Sequence, residues 1–160
     1  MKIAIGSDRR GFEYKTKLID YLIQKGYHLY DTGAYNDEYP VDYPIYGNAV
    51  GELVASGKCE RGIVICATGI GIMIACNKVK GIRCGMGYSD DVARLMREHN
   101  DANVISFGQS QMTFEEVKSR TDIFLNTEFL AGYHCTRIEQ LKCIEEGKNF
   151  FQTPFIDKKR

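Results

Sequence analysis

The sequence predicts an α/β protein in which a five-stranded parallel sheet is covered by helices, and three observations predict it. Two hydrophobic periodicities alternate along most of the chain, one of strand type and one of helix type, as strands joined by crossover helices require. The run Gly62-Ile63-Val64-Ile65-Cys66 is continuously apolar and rich in β-branched residues, as expected of a central strand covered on both faces. With 160 residues, 44% of them apolar, the chain suits one domain, able to bury roughly 70% of its unfolded surface.

Residues 2–6 read as the first strand. Leu18, Ile19, Leu22 and Ile23 then fall at helical spacing, and Gly26 stands where a helix C-cap is expected. Residues 28–31 form the second strand. After a polar loop with Pro40 and Pro44, the residues Ile45, Tyr46, Ala49, Val50, Leu53 and Val54 repeat as the apolar face of a helix stopped near Gly57. The third strand is 62–66, and a glycine turn with a helical segment follows it. Residues 82–86 and 104–107 repeat the strand type, separated by a helix centred on Val92 to Met96. Phe114, Val117, Phe124 and Leu125 mark a fifth helix, and Ile138, Leu141 and Ile144 a short last one. The domain therefore spans 1–146. The tail 147–160 combines Phe150, Phe151 and Phe155 with Pro154 and a basic end, either frayed or packed on a neighbouring subunit.

Lys plus Arg (21) equals Asp plus Glu (21), which leaves no basic footprint for nucleic acid. No apolar run approaches the roughly 20 residues of a membrane span, and residues 1–6 lack the pattern of a secretory signal. A soluble, unprocessed cytoplasmic protein is expected. The 6 cysteines contain no C-x-x-C pair and several sit in apolar runs, so they read as reduced, mostly buried thiols.

In an open parallel sheet, ligands collect beyond the carboxyl ends of the strands, near the point where strand order reverses. After the third strand comes Cys66-Ala67-Thr68-Gly69-Ile70-Gly71. Two glycines between a buried strand and a helix let backbone N–H groups converge on one spot that the helix dipole makes favourable for negative charge. Such a hole suits a phosphate, or an oxyanion that develops during reaction. The plain alternative is a turn that merely tightens the junction. Neither the P-loop nor the three-glycine dinucleotide pattern is present, which disfavours a nucleotide. Cys66 ends its strand beside this turn, in a field that favours thiolate and hence a nucleophile or general base, against the alternative of an inert buried thiol. Thr68 offers a hydroxyl that gives and takes a proton, or a simple helix cap. His99, at a helix end before Asn100-Asp101, is placed to titrate near neutral pH or merely to sit exposed in a last turn. His134 and Arg137, three residues apart, make a small cationic face for a phosphate or an ordinary solvated one. Zinc on Cys66, His99 and His134 is conceivable by composition, but paired ligand spacing is absent and no metal is expected.

Five motifs in order give the chain a wider resemblance: Lys2-Ile3-Ala4-Ile5-Gly6-Ser7-Asp8, Asp42-Tyr43-Pro44, Ile65-Cys66-Ala67-Thr68-Gly69-Ile70-Gly71, Asn77-Lys78-Val79-Lys80-Gly81-Ile82-Arg83, and His99-Asn100-Asp101-Ala102-Asn103-Val104. From residue 1 to about 146 it resembles the type B ribose-5-phosphate isomerases and galactose-6-phosphate isomerase subunits. The resemblance implies a flavodoxin-like three-layer sandwich, assembled as a homodimer or tetramer whose active sites are shared between subunits. It also implies aldose–ketose isomerisation of a sugar phosphate, foremost ribose 5-phosphate to ribulose 5-phosphate, through an enediolate and without a cofactor. On that pattern Cys66 moves the proton between carbons, Thr68 assists transfer between the oxygens, and His99 opens the sugar ring. The amides of Gly69, Ile70 and Gly71 with Asn100 hold the enediolate. Asp8 and Tyr43 contact hydroxyls, while His134 and Arg137 hold the phosphate.

Three positions depart from the ribose-phosphate pattern, together at the phosphate end: Arg9 where the family has His, Ser110 where it has Arg, and Tyr133 where it has Arg before His134. Arg9 offers a replacement cation. Otherwise the substrate is a different phosphorylated or free sugar, or the chain is a sugar-phosphate-binding subunit inactive without a partner. A flavin or nucleotide module rests on fold analogy alone.

Overall fold

A computed structural model describes residues 1–152. The part of the expected tail at 153–160, with Pro154, Phe155 and the basic end, lies outside the described residues. The elements are β1 (Lys2–Ser7), a 3-10 turn (Arg9–Gly11), α1 (Phe12–Gln24), β2 (His28–Asp31), α2 (Tyr43–Ala55), β3 (Arg61–Cys66), α3 (Ile70–Cys76), β4 (Cys84–Met86), α4 (Asp90–Glu98), β5 (Val104–Gly108), α5 (Phe114–Asn126) and α6 (His134–Glu145). The strands form one parallel sheet in the order β2-β1-β3-β5-β4. This is the flavodoxin-like α/β sandwich with its last two strands exchanged relative to the usual 2-1-3-4-5. The reversal of direction between β1 and β3 still sets a crevice at their carboxyl ends.

Alternate residues of each strand feed two cores, as the two-residue period of a strand requires. Ile3, Ile5, Ile63, Ile65, Ile105 and Phe107 pack under α1, α4 and α5 with Leu18, Leu22, Val117 and Phe124. Ala4, Val64, Cys66 and Val104 pack on the other face with Val50, Val54, Ile72 and Cys76 of α2 and α3. Both faces of β3 are therefore dry, which is why 62–66 shows no alternation of polar residues.

Two boundaries differ from the sequence expectation. β4 starts at Cys84 rather than residue 82, because Gly81 takes φ +85° and Ile82 is drawn into a turn by its N–H donating to the Val79 carbonyl at 3.1 Å. α2 opens at Tyr43, ahead of Ile45, since Pro44 fits the first turn of a helix, where its missing N–H costs nothing. Of the cysteines, Cys59, Cys66, Cys76 and Cys84 are buried free thiols, whereas Cys135 is exposed and Cys143 half-buried.

Candidate active site

Cys66 closes β3 with its side chain buried, and the chain then turns through Gly69 at φ +80° into α3. This left-handed conformation costs an L side chain roughly 1–2 kcal/mol, and glycine avoids that cost. The turn aims the Gly69 N–H back at the Cys66 sulfur, 3.1 Å away. The Gly69 carbonyl is fixed in turn by the buried Ser106 hydroxyl, which donates to it at 2.6 Å. Ile70 N–H donates to Thr68 Oγ1 at 3.3 Å, so Thr68 caps locally while Gly69 holds the N-cap position. Two of the three turn amides thus have acceptors within the turn, which is narrower than an open hole made by all three. A helix leaves its first N–H groups without internal acceptors, and Gly71 lies in that region.

Neighbouring elements close around this thiol. Residues Gln109 and Ser110 pin the loop, their N–H groups donating to the carbonyls of Cys66 at 2.9 Å and Ala67 at 3.0 Å. The Tyr43 ring packs over Gly71, where an added Cβ would come within 2.8 Å of it. Asp8 caps the 3-10 turn through Oδ1, which accepts from Gly11 N–H at 3.0 Å. Burial raises its carboxyl above the usual value, against the lowering effect of the Gly11 and Arg10 amides and of the Arg10 and Arg9 charges. Gly11 lets this turn lie directly on β3, since a Cβ there would collide with the Ile65 carbonyl. Asp8, Arg9, Tyr43, Cys66, Thr68, Gly69, Ile70, Gly71 and Ser110 therefore gather at the carboxyl end of the sheet.

The remaining predicted residues do not join them. α4 runs back from the carboxyl end over Asp90–Glu98, and His99 is its C-cap, next to Asn100 and ahead of β5. In the β3–β5 register Gly62 faces Val104 while Cys66 faces Gly108, so these residues lie at opposite sheet ends, a strand length of about 13 Å at 3.3 Å per residue. α6 starts beside His99, and the His99 and His134 rings stack with centroids 4.4 Å apart at 14°. Tyr133 lies on the other side of His134 at 4.1 Å, and the Arg137 guanidinium sits 4.9 Å over the Tyr133 ring.

This arrangement corrects two expectations. His134 is buried, and burial foremost, then His99 and Arg137, pushes it below the ordinary imidazole value. Of the expected pair, Arg137 is exposed and His134 lies buried. The departures Arg9, Ser110 and Tyr133 are not adjacent within one chain, because Tyr133 belongs to the amino end. A cleft of 370 Å³ lined by Asn77, Arg83, Met96, Asn100, Leu141 and Ile144 lies against the β4 edge, away from the thiol. Asn77, Arg83 and Asn100 of its lining come from two of the five motifs.

A buried thiol thus faces a backbone amide at the switch point of a parallel sheet, with a carboxylate and a tyrosine at the same sheet end. Comparison with known proteins gives the chain its family. A family model described as Ribose/Galactose Isomerase matches residues 3–141, and the chain belongs to that family. It is similar to ribose-5-phosphate isomerase B of Escherichia coli, 40% identical over 92% of this chain and 99% of that protein. It is also similar to the galactose-6-phosphate isomerase subunit LacB of Clostridium acetobutylicum, 38% identical over 99% of this chain and 95% of that one. The solved structure of Clostridium thermocellum ribose-5-phosphate isomerase B superposes with a TM-score of 0.90 at 44% identity, covering 92% of this chain and 99% of that chain. The chain is an aldose–ketose isomerase of the sugar-phosphate class.

Proposed function

We propose that this isomerase interconverts ribose 5-phosphate and ribulose 5-phosphate in the cytoplasm, at a site assembled from two copies of the chain. The observation that carries the reading is the Cys66 sulfur, buried at the end of β3 and facing the Gly69 amide. As thiolate, Cys66 takes the proton from carbon 2 of the open-chain aldose and returns it to carbon 1, while Thr68 passes a proton between the two oxygens. The enediolate charge is met by the first-turn amides of α3, with Asn100 of a second copy. His99 of that copy opens the ring, Asp8 and Tyr43 hold hydroxyls, and Arg137 with Arg9 binds the phosphate. Sharing is supported by distance: one chain keeps its proposed base and its proposed ring-opening imidazole at opposite sheet ends. It also gives a purpose to exposed apolar side chains on the helices that cover the thiol's face of the sheet, Ile45 on α2 and Ile70 and Ile74 on α3. A two-fold axis is the usual way to bury such a patch.

The kinship to a galactose-6-phosphate isomerase subunit favours a second reading, a hexose 6-phosphate. Arg9, Ser110 and Tyr133, the positions that rebuild the phosphate clamp, are where the two substrates would be told apart. Solvent-deuterium incorporation across a panel of pentose, tetrose and hexose phosphates and free sugars tests both. Fastest exchange with ribose 5-phosphate is expected; fastest exchange with galactose 6-phosphate selects the second reading, and no exchange with any sugar rejects both.

A further inference from the structure

Asp101 takes φ +45°, one of two non-glycine residues among those described with positive φ. Helices commonly end on such a left-handed residue, but glycine is the usual occupant. Here Asp101 unwinds α4: its N–H donates to the Arg97 carbonyl at 3.1 Å, and Ala102 N–H to the Met96 carbonyl at 2.9 Å. The two residues between the helix and this bend are His99 and Asn100.

Two arginines fasten the bend from opposite sides. Arg97, its side chain only 2% exposed, donates through Nη1 to Asp101 Oδ1 at 2.8 Å and to the Ala102 carbonyl at 2.6 Å. Its Nε donates to the Thr127 carbonyl at 3.2 Å, which anchors it to the end of α5. Arg83 reaches across from the start of β4. Its Nη2 donates to Asp101 Oδ2 at 2.7 Å, and its Nε to the carbonyls of Asn100 at 3.1 Å and Asp101 at 2.9 Å. The Arg83 N–H is itself held by Asn103 Oδ1 at 2.9 Å. Both carboxylate oxygens of Asp101 are therefore committed to guanidinium groups, and a backbone conformation that costs energy in isolation is over-determined by its surroundings.

We infer that Arg83, acting through Asp101 and the Asn100 carbonyl, is a positioning residue that fixes Asn100 for presentation to the facing copy's thiol. The inference rests on the proposed role of Asn100. Arg83 touches no reacting atom; its guanidinium sets where the Asn100 backbone stands. Lysine is no substitute, because a single ammonium does not reproduce a fork that serves two carbonyls and a carboxylate together. A misplacement near 1 Å in such a group costs on the order of 100-fold in rate.

The test is a double-substitution cycle in the full-length protein, using the panel sugar phosphate that exchanges fastest. Arg83→Met is expected to lower kcat roughly 10- to 100-fold with KM changed less than about threefold, since Asn100 serves the enediolate rather than the bound sugar. In an Asn100→Ala background the same change is expected to remove less than about threefold more, because the residue it positions is already gone. Thermal midpoints are measured for every variant, and rates are taken well below them. Equal losses in both backgrounds mean that Arg83 only supports the fold and overturn the inference. So does a wild-type kcat for Arg83→Met while Asn100→Ala is impaired. If Asn100→Ala and His99→Asn both turn over like wild type, the shared-site reading fails and this inference falls with it.

Discussion

The Cys66 sulfur has one hydrogen bond on it, from an amide held by a glycine turn, and sits in an otherwise apolar layer with Val64, Ile72 and Cys76. On the proposed reading, a group so placed contributes little to holding a sugar and much to moving a proton. Cys66→Ala is therefore expected to abolish deuterium exchange while ligand affinity, measured calorimetrically, stays within about threefold; substantial turnover by this variant would remove the assigned base. Arg9 poses a different question. It stands on the 3-10 turn that Asp8 caps, at the same sheet end as the thiol. If it replaces a lost phosphate cation, Arg9→Ala raises KM for phosphorylated sugars by an amount equivalent to about 1.5–3 kcal/mol and leaves free sugars nearly unchanged. Equal KM shifts for both kinds of sugar would return Arg9 to the role of a loop residue.

Among the elements, α4 and α6 meet through aromatic rings rather than through a broad apolar face. His134, its ring packed against those of Tyr133 and His99, is pushed below the ordinary imidazole value by burial and by the charges of His99 and Arg137. The folded chain thus binds a proton at His134 more weakly than the unfolded chain does, so its contribution to stability is complete above the ordinary value of 6.5 and is lost as pH falls below it. The thermal midpoint is expected to decline between about pH 7 and 5, and His134→Gln to flatten that part of the decline; an unchanged profile would show that this imidazole does not govern it. The same elements show what a sequence exposes and what it hides. Strand β3 and the glycine turn were legible because burial on both faces and a left-handed N-cap each demand particular residue types. Asp101 was visible only as part of a motif, since aspartate says nothing of φ until Arg83 and Arg97 are seen on its oxygens. His134 read as half of a cationic face because i to i+3 spacing reports adjacency on a helix, not burial beneath a neighbouring one. The exchange of β4 and β5 was illegible too, because strand order depends on which edge each crossover takes.

The molecule as a whole places the proposed site residues at the two ends of one sheet, with Cys66, Thr68, Tyr43 and Asp8 at the carboxyl end and His99, Asn100 and Arg137 at the amino end. Parallel strands make this split unavoidable: a residue that closes a strand and a residue that closes the crossover helix before the adjacent strand point to opposite poles. Under two-fold symmetry each pole of one copy faces the other pole of its neighbour, which yields two complete sites per dimer. Subunit complementation follows directly. Cys66→Ala and His99→Asn homo-oligomers are each expected to be nearly inactive, because every site in them lacks one group. When the two variants are co-expressed, a hybrid dimer places both substitutions in one site and leaves the other intact. Random pairing makes about half the dimers hybrid, each with one working site of two, so activity returns to about a quarter of wild type. Tandem tags that isolate the hybrid should raise this to about half. If the hybrid is as inactive as its parents, the site lies within one chain, and the assignment of either Cys66 or His99 is wrong.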